Sequence, residues 1–288
     1  RRHLPYSRTS AKGVRSSGHI PMKSESHKTR EARRAKLNET YLGTTPEERA
    51  VLQFLAVARE ELPRTTLLAM QSRTKIRLDN GRMFVHLDLR ILLESLRKAG
   101  LAETSSSRPD HACWKCAEIM TEIVARDAQR SGRFEAISEA VEAVMPFRRN
   151  YGYYYFRSFG QAMRLIRMAL YRCEDEELWK LLPATQAEYP SECRRWSPLW
   201  RLCNDPFDAE WFSGLSGDAA YNTLWQILSV AFDRLIPAEE AFACLHDRCV
   251  GPDKDLLSGS VRALCGRELM LRGHFAEAAG LAVAVPIL

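Results

Sequence analysis

The sequence predicts a mainly α-helical protein, a winged-helix-like domain followed by irregular TPR-like helical repeats. Three observations predict this. Apolar residues recur at helical spacing through most of the 288 residues. Turn and strand chemistry gathers in about residues 74–118. After Met120 the same Gly-x-Phe turn appears twice, each time between two helical stretches.

Residues 1–44 read as a disordered basic tail. The first forty carry a net charge of +8, whereas the remainder carries −2. So polar a segment buries too little to offset its ordering entropy, beyond a short helix near Thr29–Leu37. It reads either as a linker or as a basic arm touching phosphates through Arg30, Arg33, Arg34 and Lys36.

Order is expected to begin at Thr45. Thr45-Pro46-Glu47-Glu48 is a capping box with proline at the first helical position. Val51, Leu52, Phe54, Leu55 and Ala58 follow on an apolar face. A second helix opens at Leu62-Pro63-Arg64-Thr65 and runs to about Met70. Asp79-Asn80-Gly81, between Ile76–Leu78 and Met83–Val85, has hairpin chemistry. A third helix covers about Asp88–Ala99 and stops at Gly100. Leu101–Thr104 and Ala112–Ala117 are strand candidates around a turn at Ser107–Asp110. Three helices and a ribbon give the winged-helix domain at 45–120.

The repeat domain spans 121–288. Its turns are Ser131-Gly132-Arg133-Phe134 and Arg272-Gly273-His274-Phe275, where glycine stops one helix and the aromatic plugs the space between the pair. Without a clean 34-residue period the repeats are irregular.

Chemistry is conspicuous by what is missing. No Gly-x4-Gly-Lys-Ser/Thr loop, His-Glu-x-x-His or Gly-x-Ser-x-Gly occurs, so neither a catalytic site nor a cofactor is expected. Cys113 and Cys116 form a lone Cys-x-x-Cys; zinc needs about four ligands, so these read as alternating strand residues, with no metal. The eight cysteines read as reduced thiols of a cytoplasmic protein. No apolar run is long enough for a membrane helix. The start at Arg1 and the apolar end Gly280–Leu288 suggest a fragment.

Two patterns could carry nucleic acid. The third helix bears Arg90, Arg97 and Lys98, mixed with Asp88 and Glu94. The helix Ser158–Tyr171 places Phe159, Met163, Ile166 and Leu170 on one face and Arg157, Arg164 and Arg167 opposite. Its bland reading is one packed face and one solvated face. The aromatic run Tyr151–Phe159 could stack on bases beside Arg148, Arg149 and Arg157, or anchor alternate rings in the core.

A winged helix leading into irregular repeats resembles the N-terminal region ahead of the motor in bacterial Swi/Snf-type DEAD/DEAH-box helicases, through Tyr153–Met163, Leu170–Arg172 and Leu202–Trp211. It is also similar to STAND-type signal-transducing ATPases, through Ala99–Ala102 and Glu118–Arg130. The resemblance implies a non-catalytic accessory region that positions a motor on nucleic acid, such as double-stranded DNA, or on a partner protein. The alternative is a protein-binding repeat scaffold or regulatory module.

Overall fold

The computed structural model describes residues 27–105, 112–148, 153–251 and 258–283. It is mainly helical, with fifteen α-helices and three short strands among the described residues. The expected turn at Ser107–Asp110, residues 1–26 and residues 284–288 lie outside that set.

The N-terminal half begins earlier than the sequence suggests. α1 covers His27–Leu42, where the composition predicts a mostly disordered tail as far as residue 44. A polar helix of this length is marginal alone, and tertiary contacts hold it. Tyr41 is buried, and its hydroxyl donates to Asp127 Oδ2 at 2.5 Å. Arg30 and Arg34 both reach the carboxylate of Asp205.

α2 (Pro46–Ala58) starts from the expected capping box, with Glu48 N donating to Thr45 Oγ1 and Thr45 N to Glu48 Oε2. Every residue from Ala50 to Ala58 is buried. That is more than one apolar stripe, so α2 is enclosed by other elements rather than laid on a surface. β1 (Leu62–Pro63) comes next, where the sequence suggests a helix start; the helix α3 begins two residues later, at Arg64, and ends at Ser72. Around Gly81, whose φ is 76°, a turn does form, with Leu78 N bonded to Arg82 O. The flanking residues form no strands.

α4 (His86–Lys98) ends at Gly100, which has φ 74°. β2 (Ala102–Thr104) and β3 (Cys113–Cys116) follow, and all pairings are antiparallel in the order β1-β3-β2. The two-residue β1 escapes sequence reading, since a strand that short has no periodicity to detect.

A 3-10 turn at Glu118–Met120 leads into α5 (Thr121–Arg130) and α6 (Phe134–Val144). Then come α7 (Phe159–Tyr171), α8 (Asp175–Glu188), α9 (Pro190–Arg195) and α10 (Pro198–Cys203). The series closes with α11 (Ala209–Ser213), α12 (Gly217–Arg234), α13 (Glu239–Val250), α14 (Gly259–Leu271) and α15 (Phe275–Val283).

The two turns read from sequence share one geometry. Gly132 and Gly273 have φ 68° and 83°, and the next residue's N–H reaches back to Ala128 O and Leu269 O at 2.8 and 2.9 Å. A third copy joins α7 to α8. There Cys173 takes the left-handed position at φ 55°, and Glu174 N bonds Ala169 O at 2.8 Å. A fourth copy joins α12 to α13, with Leu235 at φ 52° and Ile236 N bonded to Ala231 O at 3.0 Å; with cysteine or leucine in place of glycine, these two copies carry no sequence signature. The aromatic plug holds only in part. Phe134 is buried against Tyr171, whereas Phe275 is 69% exposed.

One hydrophobic cluster runs from Tyr41 to Ala278, through both halves and across residue 120. α2 packs on α3 and α4 and also on α5, α6 and α7.

Candidate interaction surface on α4

The ten basic residues singled out from sequence separate into three groups in space. Arg164 and Arg167 are 1% and 0% exposed, so the basic face of α7 is not solvated. Both arginines close the C-terminal ends of neighbouring helices. Arg167 donates to Ala56 O at the end of α2 and to Glu122 at 2.6 Å. Arg164 donates to Met145 O after α6 at 3.2 Å and to Glu60 at 2.5 Å. A helix end exposes unpaired carbonyls and partial negative charge, and a guanidinium answers both. Arg126, also fully buried, does the same for α10 through Leu202 O and Pro206 O at 2.7 and 2.8 Å. These arginines are structural, and periodicity could not reveal it because it identifies faces but not what covers them.

Glu122 stands between Arg167 and Arg59 and pairs with both. Burial alone would raise its carboxyl, but Arg167 and Arg59 outweigh it and hold Glu122 below the usual glutamate range. Glu60 behaves oppositely. Burial exceeds the attraction of Arg164, so its carboxyl lies above the usual range, and Arg164 is lowered by the same burial.

The second group is engaged at the surface. Arg30 and Arg34 hold Asp205. Arg97 pairs with Glu94 along α4 at 2.9 Å. Arg33 is exposed on α1 and also has an interaction partner. The third group, Lys36, Arg90, Lys98 and Arg157, is exposed without an ion pair among the described residues.

Arg90 and Lys98 share the outer face of α4 with two large apolar side chains. Leu87 is 53% and Ile91 59% exposed, while Leu89, Leu93 and Leu96 hold the inner face in the core. Met83 and Val85, on the approach to α4, are exposed as well. Arg82 pairs with Asp88, and Asp88 accepts from Val85 N at 2.9 Å, fixing the entry of the helix. The surface is therefore a rigid apolar strip edged by cations. The cations of this helix stand out in the sequence and draw attention from the apolar residues between them, although Leu87 and Ile91 stand four apart in plain view.

The aromatic run alternates as its packing reading expects. Tyr154 and Phe156 stack with Phe147 at 5.9 and 5.6 Å, while Tyr153 and Tyr155 are exposed. Tyr151 and Arg149 lie outside the described residues.

Cys113 and Cys116 sit three apart on β3, so they face opposite sides of the strand. Burial pushes the Cys116 thiol up to about 12. Among the described residues no group of three or more His, Cys, Asp or Glu side chains is placed to hold a metal, and no helix is long and apolar enough to cross a membrane. Comparison with known protein families, with curated protein sequences and with solved structures found no match for this chain.

Proposed function

We propose that this chain is a non-catalytic protein-interaction module, with a winged-helix-like unit at 45–120 joined to irregular TPR-like repeats. The order α2-β1-α3-α4-β2-β3 with sheet order β1-β3-β2 supports the first part. The shared left-handed turn in four helix pairs supports the second. In a winged helix that reads duplex DNA, the third helix lies in the major groove and presents donors and acceptors to base edges. Here that helix, α4, presents Leu87 and Ile91.

The exposed apolar strip on α4 is the observation that carries this reading. Exposed apolar side chains gathered in one place and rimmed by polar groups mark a protein contact. Arg90 and Lys98 beside the strip suit a partner segment with apolar anchors and acidic flanks. Such a module would serve an ATP-driven motor of helicase or STAND type as the part that meets its partner.

Two measurements test this. Peptides selected from a displayed random library on the wild-type chain should carry apolar anchors with acidic flanks, and should lose binding to L87S/I91S. Duplex DNA titrated at low salt should bind weakly and unspecifically. Tight duplex binding with a steep salt slope, abolished in R90A/R97A/K98A and unchanged in L87S/I91S, would instead make α4 a nucleic-acid reader.

A further inference from the structure

Ahead of α7 the chain runs through residues 153–157 without helix, and exposure alternates along it. Tyr154 and Phe156 turn inward. Tyr153, Tyr155 and Arg157 turn outward, and the two tyrosines are 68% and 61% exposed. An alternation of two belongs to extended backbone, so the three outward side chains share one face at steps of about 6–7 Å.

The backbone under this face is held from beneath. Phe147 stacks on Tyr154 and Phe156 at 5.9 and 5.6 Å, and those two rings stack on each other at 6.0 Å. The Tyr154 hydroxyl donates to Glu177 Oε1 at 3.1 Å, and Phe156 N donates to Glu188 Oε2 at 3.2 Å. The Tyr189 hydroxyl donates to Phe156 O at 3.1 Å. Arg157 N donates to Gln161 Oε1 at 2.8 Å, which ties the segment to the first turn of α7. The side chains of Tyr153 and Tyr155 have no ring contact or hydrogen bond among the described residues.

A single exposed tyrosine is ordinary on a protein surface. Two on one face of a fixed backbone, with a cation ending the row, form a platform whose ordering cost is already met by folding. Arg157 has no ion pair among the described residues, and neither has exposed Arg148, which follows Phe147. The nearby carboxylates are engaged elsewhere. Glu177 and Glu188 accept from the inward residues, and Glu60 is held by Arg164.

We propose that Tyr153 and Tyr155 stack the bases of single-stranded nucleic acid, with Arg157 and Arg148 on its phosphates. Every base offers a flat face to an aromatic ring, and cations beside the rings take the backbone charge. Bases in a duplex are stacked on one another and leave no face free. The platform differs in chemistry from the α4 strip, whose Leu87 and Ile91 are aliphatic and have no ring to stack.

Fluorescence anisotropy of labelled oligo(dT) and oligo(rU), titrated with the full chain at low salt, tests this. Either strand should bind more tightly than a duplex or an abasic strand of the same length, and the tighter of the two names the sugar. Y153A and Y155A should each weaken binding by about tenfold or more. Y153F/Y155F should keep it, because stacking needs the ring and not the hydroxyl. Y153L/Y155L should lose it, because leucine is apolar but not flat. R157Q should weaken binding and lower its salt slope by about 0.7. All of these side chains are exposed, so the melting temperature should stay unchanged. L87S/I91S should bind the strand as the wild type does, which separates this site from the one on α4. Binding shared equally by duplex and abasic strands and unaltered in Y153A/Y155A would come from the basic residues before α1 and overturns the platform. Full binding by Y153L/Y155L, or none by the wild type at low salt, overturns it too. So do library-selected peptides that lose binding to Y153A/Y155A while no strand binds, which would make this face a protein contact.

Discussion

A guanidinium stripped of water survives only where carboxylates and carbonyls replace the lost hydration. Arg59 and Arg167 share Glu122 in this way, and the depressed carboxyl of Glu122 records that attraction there exceeds the burial cost. Glu60 and Arg164 record the reverse. Two substitutions of the same chemistry should therefore differ. E122Q leaves two buried guanidiniums without their shared anion and is expected to cost about 3–5 kcal/mol in urea unfolding at neutral pH. E60Q removes a carboxylate whose ionised form is already disfavoured and should change stability by within about 1 kcal/mol. The pH dependence follows the same signs. A carboxyl with a depressed folded pKa contributes stability that is present above its unfolded value and lost as pH falls through the folded one. The deficit of E122Q should thus be full above the ordinary glutamate range, shrink progressively as pH falls through it, and be gone only below the depressed folded value. A deficit that vanished at mildly acidic pH, or equal deficits for the two variants, would contradict this assignment.

Among the elements, α1 rests on few contacts: Tyr41 on Asp127 at its end, and its arginines on Asp205. It has no apolar face of its own beyond Leu37 and Tyr41, and Asp205 gathers both of its inward arginines. Burial pushes the Asp205 carboxyl up in spite of Arg34 and Arg30, so the pairing adds little to global stability. Arg30 and Arg34 keep side-chain exposures of 34% and 15%, and both can turn to water. D205N is therefore expected to act locally. Amide exchange in residues 29–38 should speed by about tenfold or more, while α2 stays protected. Equal acceleration in both helices would mean that α1 is integral to the core rather than latched onto it. This helix also shows what the sequence conceals. α2, α4, β2 and β3 are legible because each carries its own caps, stops or alternation: Thr45 with Glu48, Gly100, and Trp114 and Cys116 turned inward. α1 and β1 are specified by partners far along the chain, Asp205 for one and Trp114 and Cys113 for the other. The same holds for Arg164 and Arg167, whose role depends on helix ends that lie about twenty to over a hundred residues away in sequence.

At the scale of the whole molecule, the sequence predicts a boundary at residue 120, yet the packing runs straight through it. α2 packs on α3 and α4 before the boundary and on α5, α6 and α7 after it. Its nine consecutive buried residues leave no face for water. Arg167 of α7 closes the end of α2, and Arg59, the residue that ends α2, pairs with Glu122 of α5. A core shared in this way unfolds as one unit, because losing either half would expose apolar surface worth several kcal/mol on the other. The tryptophans can report on this. Trp114 sits in β3 and Trp211 in α11, on opposite sides of the boundary. Variants retaining only one or the other should give coincident urea transitions, matching the loss of helix by circular dichroism. F54A, in the middle of α2, is expected to shift both reporters together, by about 3–5 kcal/mol. Two separated transitions, with F54A moving only that of Trp114, would instead mark residues 45–120 as a domain that folds by itself. The apolar strip on α4 would then ride on a movable unit, and the rigid presentation argued for it would fail.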